Sequence, residues 1–270
     1  MSSGKKQSID NKIIKALASY NLSGKIQDWT AMILEDREIL AAQEYANNVS
    51  IVRLGYNDHG PVHMRTVVLN TIIMMNLLRQ AGVKTSLEKE GVGDFEDSLL
   101  GAIFGAMLHD IGMCVSRQDH ETHSAYMAMP IMERLLSSCN ENIEKKVIIR
   151  SIALEAITGH MGTRKIHSLE AGVAQIADGC DMTKGRARIP LALSQASGTG
   201  TIHQYSANSI EEVQICKGLE NPIRIEVLMS SEVGLFQVEE VLLVKIAAST
   251  AKSHIELFTQ VEGFEPKRYL

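Results

Sequence analysis

The stretch LHDIG, residues 108–112, sets a histidine beside an aspartate at the end of a long apolar run. Burying either one unpaired is costly, and the carboxylate adds a charge that must find a cation, a donor or water. Seven of the nine histidines, at 59, 63, 109, 120, 123, 160 and 167, fall between residues 59 and 167, and the other two are His203 and His254. In order, His63, His109 with Asp110, His123, His160 and Asp178 offer four imidazoles and two carboxylates near predicted helix ends or on small-residue helix faces. Such a mixed set suits Mn, Fe, Co, Ni or Zn, one or two ions per chain, better than all-oxygen Mg or Ca sites. A divalent ion lowers the pKa of bound water from about 16 to about 7, so hydroxide exists at neutral pH. Asp110 has two oxygens and can bridge two ions. Neighbouring residues on a helix diverge by about 100°, so His109 and Asp110 share a centre only where the helix ends, and Gly112 is expected to end it.

Other residues have a chemical and a plain reading. His120 precedes the expected helix cap Thr122 and either meets a substrate phosphate or faces solvent. His59 precedes Pro61 and is a second-metal ligand, a group behind the ligands or a surface residue. Lys184, Arg186 and Arg188 in DMTKGRARIP, with Arg164 and Lys165, offer cations to a phosphate or simply form a solvated loop.

The elements that must position these groups are mostly helices. Ser8 or Asp10 caps a short first helix. Asp28 opens a longer one that runs through Ile51 to Gly55, and Pro61 starts a third that continues to Gly82. Asp94 caps the helix that runs into MLHD. Thr122 opens one that bends or ends near Pro130, and Asn142 and Ser168 cap the last two. Hydrophobic residues make up 45% of the chain and aromatics only 4%, with 13 Met, a composition for packed helices rather than a β-sandwich. Texture changes at SQASGTGT, 194–201, which reads as a linker. Beyond it, 223–229 and 255–261 alternate like strands around a helical stretch, LFQVEEVLLVKIAA. Residues 210–215 read either as a third strand or, with Ser209 and Glu212, as a capping box.

At 270 residues the chain is long enough for one large domain or a domain with an appendage. Net charge is −5 with both signs interspersed, which excludes a general nucleic-acid binder. Cys114, Cys139, Cys180 and Cys216 form no CxxC pair and read as reduced, mostly core thiols. No signal core or apolar span is present, so the chain reads as soluble and cytoplasmic, with no membrane partner.

Together these residues resemble the HD-domain superfamily of metal-dependent phosphohydrolases, over about residues 55–182. The superfamily pattern is an isolated His, the His-Asp doublet, further His residues in two-metal members and a final Asp. The resemblance implies a basic site of His63 in GPVHMRTVVLN, His109 and Asp110 in LHDIG, and Asp178 in AQIADGCD. His123 in THSAYM and His160 in ITGHMG would serve a second ion, and His109 and Asp110 would be catalytic. The implied substrate is a small phosphomonoester or phosphodiester, a nucleotide among the candidates. Met113 stands where many members have Lys, and no GYP follows His160, so no substrate is named. A di-iron oxygenase and a non-catalytic metal-bound regulatory module would use the same ligands. The expected architecture is mostly α: an HD-type helical bundle over 1–197 with a small C-terminal α/β appendage over 205–270. The appendage is expected to make a homodimer contact or a regulatory site, because a small sheet otherwise leaves a strand edge exposed.

Overall fold

A computed structural model describes residues 2–138, 141–184 and 202–270 of the chain. The bundle comprises α1 (Ser2–Ser19), α2 (Gly24–Glu35), α3 (Arg37–Asn48), α4 (Pro61–Gln80), α5 (Ser86–Glu90), α6 (Phe95–Leu108), α7 (His120–Ser137), α8 (Ile143–Gly159) and α9 (Leu169–Cys180). At the centre is α6. It is apolar on every side and buried from Phe95 to Leu108 apart from Glu96, as expected of a helix with no solvent face. Gly101 and Gly105 let α8 approach closely, since a Cβ at either would collide with Ile152 or Ala156. Around α6 pack α4, α8 and α9, so their ends meet at one pole of the core.

Several expected caps are in place. Asp94 and Asp97 form a capping box at α6, and the side chains of Asn142 and Ser168 accept from Lys145 and Ala171. The single helix expected from Asp28 is two. Asp36, extended at ψ 123°, ends α2 and caps α3 by accepting from the Ile39 amide, while Arg134 grips its carboxylate with both arms. Pro130 does not end its helix, which continues to Ser137. Nor does α7 open at Thr122: it opens at His120, behind Asp119 in the left-handed region at φ 55°.

The C-terminal part contains α10 (Ile202–Asn208), β1 (Ile210–Lys217), β2 (Ile223–Met229), a helical run α11 over 235–248, β3 (Ile255–Val261) and β4 (Lys267–Arg268). Residues 210–215 are therefore strand. The sheet order is β1-β2-β3-β4. β1 lies antiparallel to β2, β2 is parallel to β3 across the α11 crossover, and β4 is antiparallel to β3. Ile223, Ile225, Val227 and Met229 alternate inward on β2, and their burial continues the helical core. β1 and β2 pack on α4, and α11 packs on α9. The linker expected at 194–201, most of the boundary between 197 and 205, and Arg186, Arg188 and Cys139 lie outside the described residues. Cys114, Cys180 and Cys216 are free thiols. Among the described residues no helix is long and apolar enough to cross a membrane.

Candidate metal centre

The four helix ends at that pole each deliver a ligand type. His63 stands in the first turn of α4, His109 caps α6 with Asp110 just beyond, His160 caps α8, and Asp178 lies in the last turn of α9. The fifth end, the start of α7, brings in His120. All six are buried.

Their atoms sort into two groups around Asp110. Its Oδ2 lies 3.4 Å from His63 Nε2 and 3.2 Å from His109 Nε2. Asp178 Oδ1 completes this side, 3.3 Å from His63 Nε2 and 3.7 Å from His109 Nε2. Asp110 Oδ1 faces the other way, 3.1 Å from His120 Nε2 and 3.3 Å from His160 Nε2.

Hydrogen bonding behind the rings fixes what they present to the centre. Nδ1–H donates from His109 to Ala106 O at 2.8 Å, from His160 to Ile157 O at 2.7 Å and from His120 to Arg117 O at 3.0 Å. A carbonyl only accepts, so each Nδ1 holds a proton and each ring turns its Nε2 inward, a lone pair whenever that nitrogen carries no proton. His63 Nδ1 donates to Asp181 Oδ2 at 2.7 Å, the carboxylate-backed arrangement that orients metal-binding imidazoles. The inward Nε2 atoms then crowd as acceptors: His63 lies 3.2 Å from His109, and His120 lies 3.0 Å from His160. Lone pairs at that separation repel unless a proton or a metal ion sits among them, and four imidazole nitrogens converging with two carboxylates fit divalent metal ions.

Electrostatics agree. Burial pushes the His160 imidazole down to about 4, which keeps it neutral. Burial opposes ionisation of Asp110, but the imidazoles of His109, His59 and His120 outweigh it and hold the carboxyl well below the usual range. At Asp178 burial is likewise overcome, first by the Lys245 ammonium and then by His109 and His63. Both carboxylates are charged and ready to bind a cation.

His123, expected as a ligand from its place in THSAYM, belongs to none of these groups. It is half-buried one turn into α7, whose start at His120 gives the first residue to the centre instead. His59 lies beside the cluster, its ring 5.8 Å from that of His63 and its Nδ1 bonded to Asn57 O and Ser50. Lys184 is exposed and paired with Glu211, and Arg164 donates to Thr122, so neither lines the cleft.

Two groups had no place in the sequence reading. Asp181 follows Asp178 by one helical turn. Lys245 comes from α11: its buried ammonium binds Asp178 Oδ2 and donates to His160 O at 3.0 Å. The signal for it was a lone lysine in the apolar run VLLVKIAA, since a buried lysine needs an anion.

Gly112 does not end α6 through a left-handed cap. The helix stops at Leu108 and a 3-10 turn, Ile111–Cys114, follows Asp110. Gly112 instead allows α7 to close on that turn, because a Cβ there would overlap the His120 carbonyl oxygen and the Ser124 amide, while Ser124 Oγ accepts from Gly112 N at 2.8 Å. Gly112→Ala should therefore displace His120 and cost roughly 1–3 kcal/mol of stability. Thermal denaturation with elemental analysis checks this; unchanged melting and metal content would refute it.

The HD domain family model matches residues 69–183, a span holding His109, Asp110, His120, His160 and Asp178, with His63 just upstream. An uncharacterized protein, MJ1020, of Methanocaldococcus jannaschii is 41% identical over 234 residues, covering 87% of this chain and 88% of that relative. No solved structure matches. A His and a His-Asp doublet converging with a final Asp at the pole of a helical bundle agree with these matches, and the chain belongs to the HD-domain family.

Proposed function

We propose that the protein is a metal-dependent phosphohydrolase that cleaves a small phosphomonoester or phosphodiester at a two-ion centre. The observation that carries this reading is the division of Asp110, one oxygen facing His63 and His109 and the other facing His120 and His160, which supports two cations sharing one carboxylate. Mn, Fe, Co, Ni or Zn ions held there would supply a hydroxide at neutral pH and draw charge from phosphoryl oxygens. The chain's own residues do the rest. Backbone carbonyls and Asp181 lock the imidazoles in the binding tautomer, and Lys245 occupies Asp178 Oδ2 so that Oδ1 alone faces the centre. A cleft of about 560 Å³ opens over Asp110, His120, His160 and Asp178, room for a small phosphorylated molecule.

Protein supplemented with Mn or Co should release phosphate from a panel of phosphomonoesters, or cleave phosphodiesters, under strict anaerobiosis. Elemental analysis of the same sample should give two transition ions per chain. No turnover across the panel, with oxygen consumption by the iron-loaded protein and an organic substrate, would replace hydrolysis with oxygenation.

A further inference from the structure

A phosphoryl group entering the cleft needs a cation other than the metal ligands, and the cleft wall holds two among the described residues, Lys245 and Arg117. Lys245 is committed, its ammonium held between Asp178 Oδ2 and the His160 carbonyl. Arg117 is not. Among the described residues no carboxylate pairs with it, although it is half-buried beside the acidic cluster. Its Nη1 sits 3.1 Å from His120 Nδ1 and 3.2 Å from His120 Nε2. Neither nitrogen is a good acceptor for it. Nδ1 already gives its proton to Arg117 O, and the Nε2 lone pair lies among the converging ligands, 3.1 Å from Asp110 Oδ1. The guanidinium also lies over the Tyr56 ring, 5.8 Å from its centroid, and Tyr56 lines the same cleft. A planar fork braced by an aromatic face, with Nη1 set only against ring nitrogens that accept poorly and, among the described residues, no carboxylate on the fork, is built for a tetrahedral oxyanion.

We infer that Arg117 is a substrate-binding residue that grips the non-bridging oxygens of a phosphoryl group beside the His120 and His160 side of the centre. The inference rests on the phosphohydrolase reading and goes further, in assigning to an arginine of the loop before α7 the role that sequence reasoning gave to Lys184 and the residues after it. The sequence signal was an arginine three residues ahead of His120. An arginine fork presents two donors to two oxygens of one phosphoryl group, so its loss should weaken binding of monoester and diester phosphates alike.

Manganese-loaded protein titrated calorimetrically with inorganic phosphate, and separately with dimethyl phosphate, tests it. Arg117→Gln should weaken binding about tenfold to a hundredfold, as expected for a lost charge-assisted pair, and Arg117→Lys should recover part of the loss by keeping charge without the fork. Metal content should stay at the wild-type level in both, and the Michaelis constant for any substrate found should rise more than turnover falls. Phosphate affinity within twofold of wild type in Arg117→Gln, at full metal content, would overturn the assignment alone and leave hydrolysis standing. Loss of metal together with phosphate would also overturn it, making Arg117 a support for His120. A wild-type protein that binds neither anion and turns over no phosphorylated compound would bring down the hydrolase reading itself.

Discussion

Asp110→Asn should leave a folded protein that retains only a trace of its metal and turns over substrate at least about a thousandfold more slowly. The replacement is nearly isosteric, so packing around residue 110 survives. What changes is the chemistry of one oxygen. In the native chain Oδ2 faces His63 and His109 while Oδ1 faces His120 and His160. An amide keeps one of those oxygens and turns the other into a two-proton donor. Whichever way it flips, both halves of the centre lose the anionic charge, and one of them also gains N–H groups, which satisfy the neighbouring Nε2 lone pairs without a cation. The shared ligand makes the two halves fail together. Elemental analysis, circular dichroism and turnover on one sample check this, and full metal retention in the folded variant would defeat the ligand assignment.

Arg65→Met should be the most damaging change outside the centre. Arg65 is wholly buried on α4, and its guanidinium donates to Asp10 Oδ1 at 2.7 Å, Leu34 O at 2.7 Å, Gln43 Oε1 at 2.9 Å and Pro61 O at 3.3 Å. One side chain thus ties α1, α2 and α3 to α4. Methionine fills much of the volume but leaves the buried Leu34 and Gln43 oxygens without this donor, while Asp10, 24% exposed, turns to water. Each buried acceptor left without a donor costs roughly 1–3 kcal/mol, so the change should cost about 3–5 kcal/mol in all, which for a chain of this size lowers Tm by about 10 °C. Asp10→Asn should cost less, because the amide keeps an Oδ1 for the Arg65 Nε–H and the guanidinium keeps its bonds to Leu34 O, Gln43 Oε1 and Pro61 O. Thermal unfolding of the two variants settles the order; a Tm for Arg65→Met within about 2 °C of wild type would refute it.

The legible part of this protein is the part that periodicity and capping encode locally. Asp94, Asn142 and Ser168 mark helix starts because short polar side chains there satisfy exposed amides, and β2 shows in strict alternation. The His-Asp doublet was legible because two polar residues ending an apolar helix demand partners. Non-local determinants were harder to see. Asp36 breaks the expected long helix because Arg134, far along the chain, rewards its extended backbone. His120 rather than His123 reaches the centre because Gly112 admits the start of α7, a steric fact between segments. Lys245 reaches Asp178 only once the parallel pairing of β2 and β3 has laid α11 against α9.

That last contact bears on how such a protein can be inherited. A sheet that merely covered the bundle could be exchanged, shortened or lost by recombination, its absence repaired by a few polar substitutions on the exposed face. Here the crossover between two parallel strands delivers the cation that neutralises a ligand of the centre, so losing it strands the Asp178 carboxylate, which no surface mutation repairs. The bundle and the α/β segment therefore form a single heritable unit.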